Sequence, residues 1–184
     1  MKITKRDIEI LNFLKEVCVA DTKTISILFF NSSIRRCNQR MKILKDNKKV
    51  KCFRENILSP NIYYIRRKPT NWKHKIVCGQ LIASLKQQNI EVLKYRIPFK
   101  IGQIIADMVM VVRINGKIKI YFCEIERTKK LDKEKYLDLY FSRKWKKVFP
   151  IMPSILVISD KNINTDYNVL DIKKCKYDLS DLSI

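Results

Sequence analysis

The sequence predicts a mixed α/β (α+β) protein in two parts: three helices closed by a short β-ribbon, then a small α/β sandwich. Three observations predict it. Apolar residues recur at helical spacing as far as residue 46. After Asp46-Asn47 that period gives way to two β-prone runs around a turn containing Ser59-Pro60. Beyond residue 68, helix-like and strand-like segments alternate, and Asn115-Gly116 is a strong hairpin signal. The polar stretch Arg66-Arg67-Lys68-Pro69-Thr70-Asn71 is the expected joint, because proline disfavours helix in the residue before it. The expected domains are therefore 1–68 and 69–184.

In the first part, Thr4 is expected to cap a helix, with Asp7 as the capping-box acid three residues on. Ile8, Leu11, Leu14 and Cys18 form its apolar stripe, widened by Ile10, Phe13 and Val17. Asp21 caps a short second helix ending Ile27-Leu28-Phe29-Phe30. Ser32 and Ser33 offer a cap for the third, whose stripe is Ile34, Cys37, Met41 and Leu44. Its opposite face carries Arg35, Arg36, Asn38, Gln39, Arg40 and Lys42. Residues 50–53 and 62–66 read as the two strands of a ribbon, with 54–61 as their turn. Three helices and a ribbon are the layout of a winged helix-turn-helix. A helix fits the major groove of duplex DNA, where Arg bonds guanine O6/N7 and Asn or Gln bonds adenine N6/N7. The six polar residues of the third helix are thus candidate DNA-binding residues, and Lys51 and Arg54 are candidate wing contacts to phosphate or the minor groove. The competing reading is a basic helix whose charged face is merely solvated. Amides among the arginines, the helix's third position and the ribbon after it favour DNA.

In the second part, Asn71 is expected to cap a helix over 71–88 with Ile76, Leu81, Ile82 and Leu85 inward. A strand over 91–99 ends near Pro98, and a β-prone run over 104–114 pairs with 117–126. A helix over 132–147 turns Leu137, Tyr140, Phe141 and Trp145 inward, with acids at its start and bases at its end as the helix dipole favours. Residues 154–158 suit an interior strand, and one more strand is expected around 168–172.

A two-residue loop at Asn115-Gly116 would pair Ile114 with Lys117 and set Asp107 opposite Glu124, with Glu126 on the same face as Glu124. Three carboxylates would then converge at one end of an apolar face of Val109, Val111, Ile118, Ile120 and Phe122. Directly opposed like charges destabilise a sheet, so a cation between them is a natural expectation. Carboxylates hold Mg²⁺, which polarises a scissile phosphate and lowers the pKa of an attacking water. The spacing Asp107 … Glu124-Ile125-Glu126 resembles the motif of the PD-(D/E)xK nuclease fold. That resemblance implies a sandwich of this type over 69–184, with Asp107 and Glu124 as metal ligands and Asp107, Glu124, Glu126 and Lys129 as catalytic residues of an active enzyme. Glu126 stands where that family has the lysine that orients the water; Lys129 or Lys130 would have to substitute. The fold without cleavage, and so without a cofactor, is the leading expectation. An acid patch neutralised by Arg127, Arg96 or Lys100 is the plainer alternative.

Several of these stretches together resemble the replication-relaxation family of plasmids and integrative elements. They are the winged-helix pattern of residues 4–66, Ala106-Asp107, Phe122-Cys123-Glu124-Ile125-Glu126-Arg127-Thr128, and Lys135-Tyr136 with Tyr140. The resemblance implies a DNA-binding accessory factor in replication, relaxation or conjugative transfer, with Asp107, Glu124, Glu126 and Arg127 on recurring positions. Its partners would be double-stranded DNA and a relaxase or replication proteins; a homodimer is expected separately, because winged helices often dimerise, with the helix over 71–88 as the candidate seam.

Composition sets bounds on all of this. The chain of 184 residues carries 39 Lys+Arg against 18 Asp+Glu, a net charge of +21 that attracts polyanions. AT-rich codon bias inflates lysine but does not explain the shortage of acids. Residues 1–68 carry +11 and residues 69–184 carry +10. Three glycines are too few for a dinucleotide fingerprint, and a single histidine, His74, excludes a His-pair mechanism or a His-rich metal cage. Six cysteines without CxxC spacing disfavour zinc and suit a reducing cytosol. The start MKITKRDIEI has no apolar signal core, and no apolar run approaches the ~18–20 residues a bilayer span needs. A soluble cytoplasmic protein with no membrane partner is expected. The alternatives to an accessory DNA-binding role are a Mg²⁺-dependent endonuclease targeted by its winged helix, and a transcriptional regulator.

Overall fold

The structure, a computed structural model, describes residues 1–126, 131–163, 165 and 169–184. It is a mixed α/β protein whose described residues contain five α-helices. It divides into two compact units, Met1–Gln88 and Asn89–Ile184.

The first unit runs α1 (Lys5–Val17), β1 (Ala20–Asp21), α2 (Thr22–Phe29), α3 (Ile34–Asp46), β2 (Lys51–Phe53), β3 (Ile62–Tyr64) and α4 (Trp72–Gln87). The expected caps form. Thr4 and Asp7 make a reciprocal capping box on α1. The Asp21 carboxylate accepts from Thr24 N at 2.7 Å, and Ser33 Oγ accepts from Arg36 N at 3.4 Å. These bonds satisfy N–H groups that a helix start otherwise leaves unpaired. Ile10, Leu14, Ile25, Cys37, Met41, Leu44 and Leu81 are sealed from solvent. Ile8 and Ile34, expected in the apolar stripes, are about half exposed instead, at 51% and 45%. Each lies in the first turn of its helix, where fewer neighbours reach around the side chain.

Strand β1 adds to the ribbon, giving an antiparallel sheet in the order β1-β3-β2 with Ala20 and Cys52 flanking Tyr63. Helix α4, expected in the second part, packs within the first unit. Its Gly79 leaves room for Phe13 and Thr24, whose side-chain atoms lie 3.5 Å from where a Cβ would stand. Gln80 Nε2 donates to Asp21 Oδ2 at 2.8 Å. The first unit therefore ends at Gln88 rather than at residue 68. The ribbon is anchored at its base, where the Phe53 ring meets Tyr64 and Trp72 edge to face at 5.9 and 5.2 Å.

The second unit runs β4 (Glu91–Arg96), β5 (Phe99–Ile101), β6 (Ile104–Ala106), β7 (Met108–Ile114), β8 (Lys117–Ile125), α5 (Lys133–Ser142), a 3-10 turn (Lys144–Lys147), β9 (Ser154–Ile158) and β10 (Ile172–Cys175). A five-stranded mixed sheet has the order β10-β9-β8-β7-β4, with β9 parallel to both β8 and β10. The other pairs are antiparallel. Strands β5 and β6 form a separate two-stranded ribbon. One face of the sheet presents Val109, Ile120, Phe122, Ile155 and Val157 to Tyr136 and Leu139 of α5 and to Ile101 and Ile104 of the small ribbon.

Three expected elements are divided or shortened. The run 104–114 breaks at Asp107, so β6 pairs with β5 and β7 with the main sheet. The strand 91–99 ends at Arg96, and its last residue, Phe99, starts β5. The helix 132–147 ends at Ser142, where Arg143 turns left-handed with φ 53°. Phe141, expected inward, is 68% exposed, since it stands on the face of α5 opposite the buried Leu139. Of the strand expected over 168–172, residue 168 lies outside the described residues and Ile172 begins β10.

Candidate functional site

Helix α3 buries Cys37, Met41 and Leu44, and this fixes which way the rest of the helix points. Arg35, Arg36, Asn38, Gln39 and Lys42 are exposed. A groove of about 500 Å³ lies between α3 and the β2–β3 ribbon. Asn38, Lys42, Lys45 and Asp46 line it from the helix, Arg54 and Asn61 from the ribbon side. Of the expected DNA-binding residues, Asn38, Lys42 and Arg54 thus come together. Arg35, Arg36 and Gln39 are exposed on the same helix outside that lining. Arg54 is held in place: its Nε donates to Asn61 Oδ1 at 2.8 Å and its Nη1 to Ile57 O at 3.4 Å. Lys51 is exposed, and its Nζ donates to Arg66 O at 3.3 Å. Lys45 and Asn61 were not among the expected residues. Lys45 was within reach of sequence reasoning, standing three residues after Lys42 and so on the same helix face.

Arg40 departs from expectation. Its Nε donates to Asp7 Oδ1 at 2.8 Å, and its Nη2 donates to Lys2 O at 3.0 Å and pairs with Asp7 Oδ2. The Asp7 side chain is fully buried, and the Arg40 guanidinium holds its carboxyl well below the usual range, at about 2. Arg40 sits one turn from Cys37 at the edge of the buried stripe, so it faces α1 rather than solvent. It ties α1 to α3.

At the other candidate site the hairpin register is the expected one, with Ile114 opposite Lys117 and Met108 opposite Cys123. Asp107 lies just before β7, and its Oδ2 accepts from Ile125 N at 2.8 Å. Glu124 Oε1 accepts from the Tyr136 hydroxyl of α5. Burial, and then the charge of Glu124 with a smaller contribution from Asp107, pushes the Tyr136 hydroxyl far above its ordinary pKa. Glu126 is buried, and its N–H donates to Ile158 O at 2.9 Å. Among the described residues, no group of three or more His, Cys, Asp or Glu side chains is arranged to hold a metal ion. Among the described residues, then, Asp107, Glu124 and Glu126 do not form a three-carboxylate group of that kind. One carboxylate, that of Asp107, accepts from a backbone N–H, and another, that of Glu124, from a buried tyrosine hydroxyl. Arg127, Lys129 and Lys130 lie outside the described residues.

Among the described residues no helix is long and apolar enough to cross a membrane. The chain matches no protein-family model, no curated protein and no solved structure.

Proposed function

We propose that the chain binds double-stranded DNA, with α3 in the major groove and the β2–β3 ribbon as a wing on the flanking backbone. The observation that carries this reading is the groove between them, where Asn38, Lys42, Lys45, Arg54 and Asn61 meet. Donors of this kind suit phosphates and base edges, while Asp46 is the acid among them. The order helix, strand, helix, helix, strand, strand of α1 to β3 supports a winged helix-turn-helix, and the net charge of +21 supports a polyanionic partner.

The second unit is read as a PD-(D/E)xK-like sandwich that does not cleave. The bonds from Ile125 N to Asp107 and from Tyr136 to Glu124 support a structural use of those acids. The resemblance to the replication-relaxation family extends the reading to an accessory protein of a plasmid or integrative element, acting in replication, relaxation or conjugative DNA processing.

The test is a binding titration on duplex DNA across a range of salt. If about six phosphates are neutralised, log K falls against log[salt] with a slope of about −5. Lys42→Ala should weaken binding to all sequences alike and lower the slope by about one, whereas Arg36→Ala should cost about 1–3 kcal/mol and relax the sequence preference. Affinity independent of salt would defeat the proposal. Supercoiled plasmid incubated in parallel with Mg²⁺ should stay intact; nicking that Asp107→Ala removes would establish the endonuclease instead. A bound site mapping to a promoter rather than to an origin would indicate a transcriptional regulator.

A further inference from the structure

The turn of the wing carries two large aliphatic side chains held out in water. Ile57 is 88% exposed and Leu58 is 96% exposed, the highest values among the large hydrophobic residues described. Single exposed leucines are ordinary on protein surfaces, but an adjacent pair at the apex of a projecting hairpin forms a point. That point is built rather than loose. Asn56 Oδ1 accepts from both the N–H and the hydroxyl of Ser59 at 2.8 Å, and Asn56 O accepts from the same N–H at 3.2 Å. Arg54 braces the near side through Ile57 O and the far side through Asn61. Below it, the Phe53 ring is clasped by Tyr64, Trp72 and the Lys68 ammonium, 3.8 Å from the ring centroid. Glu55, the acid nearest the tip, is paired with Lys73.

We infer that Ile57 and Leu58 are a wedge that enters the minor groove of the bound duplex and unstacks one base step, kinking the DNA next to the bases that α3 reads. The inference rests on the DNA-binding reading above and goes beyond it. Aliphatic side chains pushed between base pairs are a known physical route to kinks of about 20–90°, at the cost of stacking lost at that step. Here the cations stand where such a wedge needs them. Arg54 lies at the foot of the tip and Lys42 and Lys45 across the groove, cations suited to the phosphates that border a minor groove. The same ring of cations argues against an apolar protein surface as the occupant. The favoured target is a flexible pyrimidine–purine step, which yields to unstacking most easily.

The experiment uses the full chain and a short duplex selected by it from a randomised pool, with a donor and an acceptor dye on its ends and 2-aminopurine placed at successive steps. Wild-type protein should raise energy transfer between the ends and brighten 2-aminopurine at one step. Ile57→Ser with Leu58→Ser should keep the fold, since both side chains are in water, and keep the salt slope, but lose about tenfold in affinity and abolish both optical signals at saturation. Lys42→Ala should do the converse, weakening binding while bending the duplex fully once bound. Bending that persists in the double-serine variant, or wild-type binding without bending, overturns the wedge and leaves the DNA-binding reading standing. Absence of duplex binding even at low salt removes both. A double-serine variant that instead turns a dimer into a monomer in sedimentation would show the tip to be a protein contact and overturn the wedge.

Discussion

Asp7 and Arg40 show how one pair decides what a third-helix arginine is for. The Asp7 carboxylate is buried, caps α1 through Thr4 and accepts two bonds from the Arg40 guanidinium. Buried carboxylates survive as charges only with such partners, and removing one partner is expensive. Asp7→Ala should therefore cost on the order of 2 kcal/mol of stability, seen as a lowered midpoint in urea. The pH dependence has a definite sign. Arg40 holds the folded carboxyl at about 2, below its ordinary 3.8, so the pair stabilises the fold while Asp7 is ionised. That contribution is complete above the unfolded value near pH 4 and disappears as pH falls to about 2. Thermal melts at pH 6 and near pH 2.5 should differ less for Asp7→Asn than for the wild type. Arg40→Ala should lose stability in the same way and, at equal folded protein, leave the base preference unchanged, unlike Arg36→Ala.

At the scale of elements, the end of α5 carries local backbone strain at an exposed residue. Arg143 adopts φ 53° at the last turn and is exposed, and a side chain in this left-handed region costs about 1 kcal/mol that glycine avoids. Arg143→Gly should raise stability by about 0.5–1 kcal/mol in chemical denaturation. The same residue explains why the helix end was illegible: neither glycine nor proline marks it, and the apolar period runs on to Trp145. The hairpin β7–β8 was legible because Asn115-Gly116 fixes both the turn and, through it, every pair as far as Met108 with Cys123. The break at Asp107 was not, since Ile105 and Ala106 continue the β-prone run and only the partner strand reveals that pairing has changed. Strand β1 has two residues, too few to carry any period. The reading face of α3 was legible from the spacing of Cys37, Met41 and Leu44. The diversion of Arg40 was not, because it depends on a charge on a different helix. For the acids, register was readable but side-chain direction at the strand end was not. Asp107 turns to a backbone N–H and Glu124 to a tyrosine, and neither choice leaves a trace in the spacing.

Taken whole, the molecule joins a heavy positive charge to an interior that keeps its thiols quiet. Among the described residues no cysteine forms a disulfide, and Cys37, Cys78, Cys123 and Cys175 are buried. Burial pushes the Cys37 and Cys175 thiols up to about 12, so at neutral pH they carry almost no thiolate, the reactive form. Native protein treated with iodoacetamide should label at Cys18 and Cys52 first, with Cys37 and Cys175 reacting only after denaturation, as peptide mass mapping would read. The bond from Arg40 to the carbonyl of Lys2 has a practical side. Because the Lys2 carbonyl is one of the acceptors of the Arg40 guanidinium, a bulky purification handle attached close to Lys2 would crowd the brace behind α3.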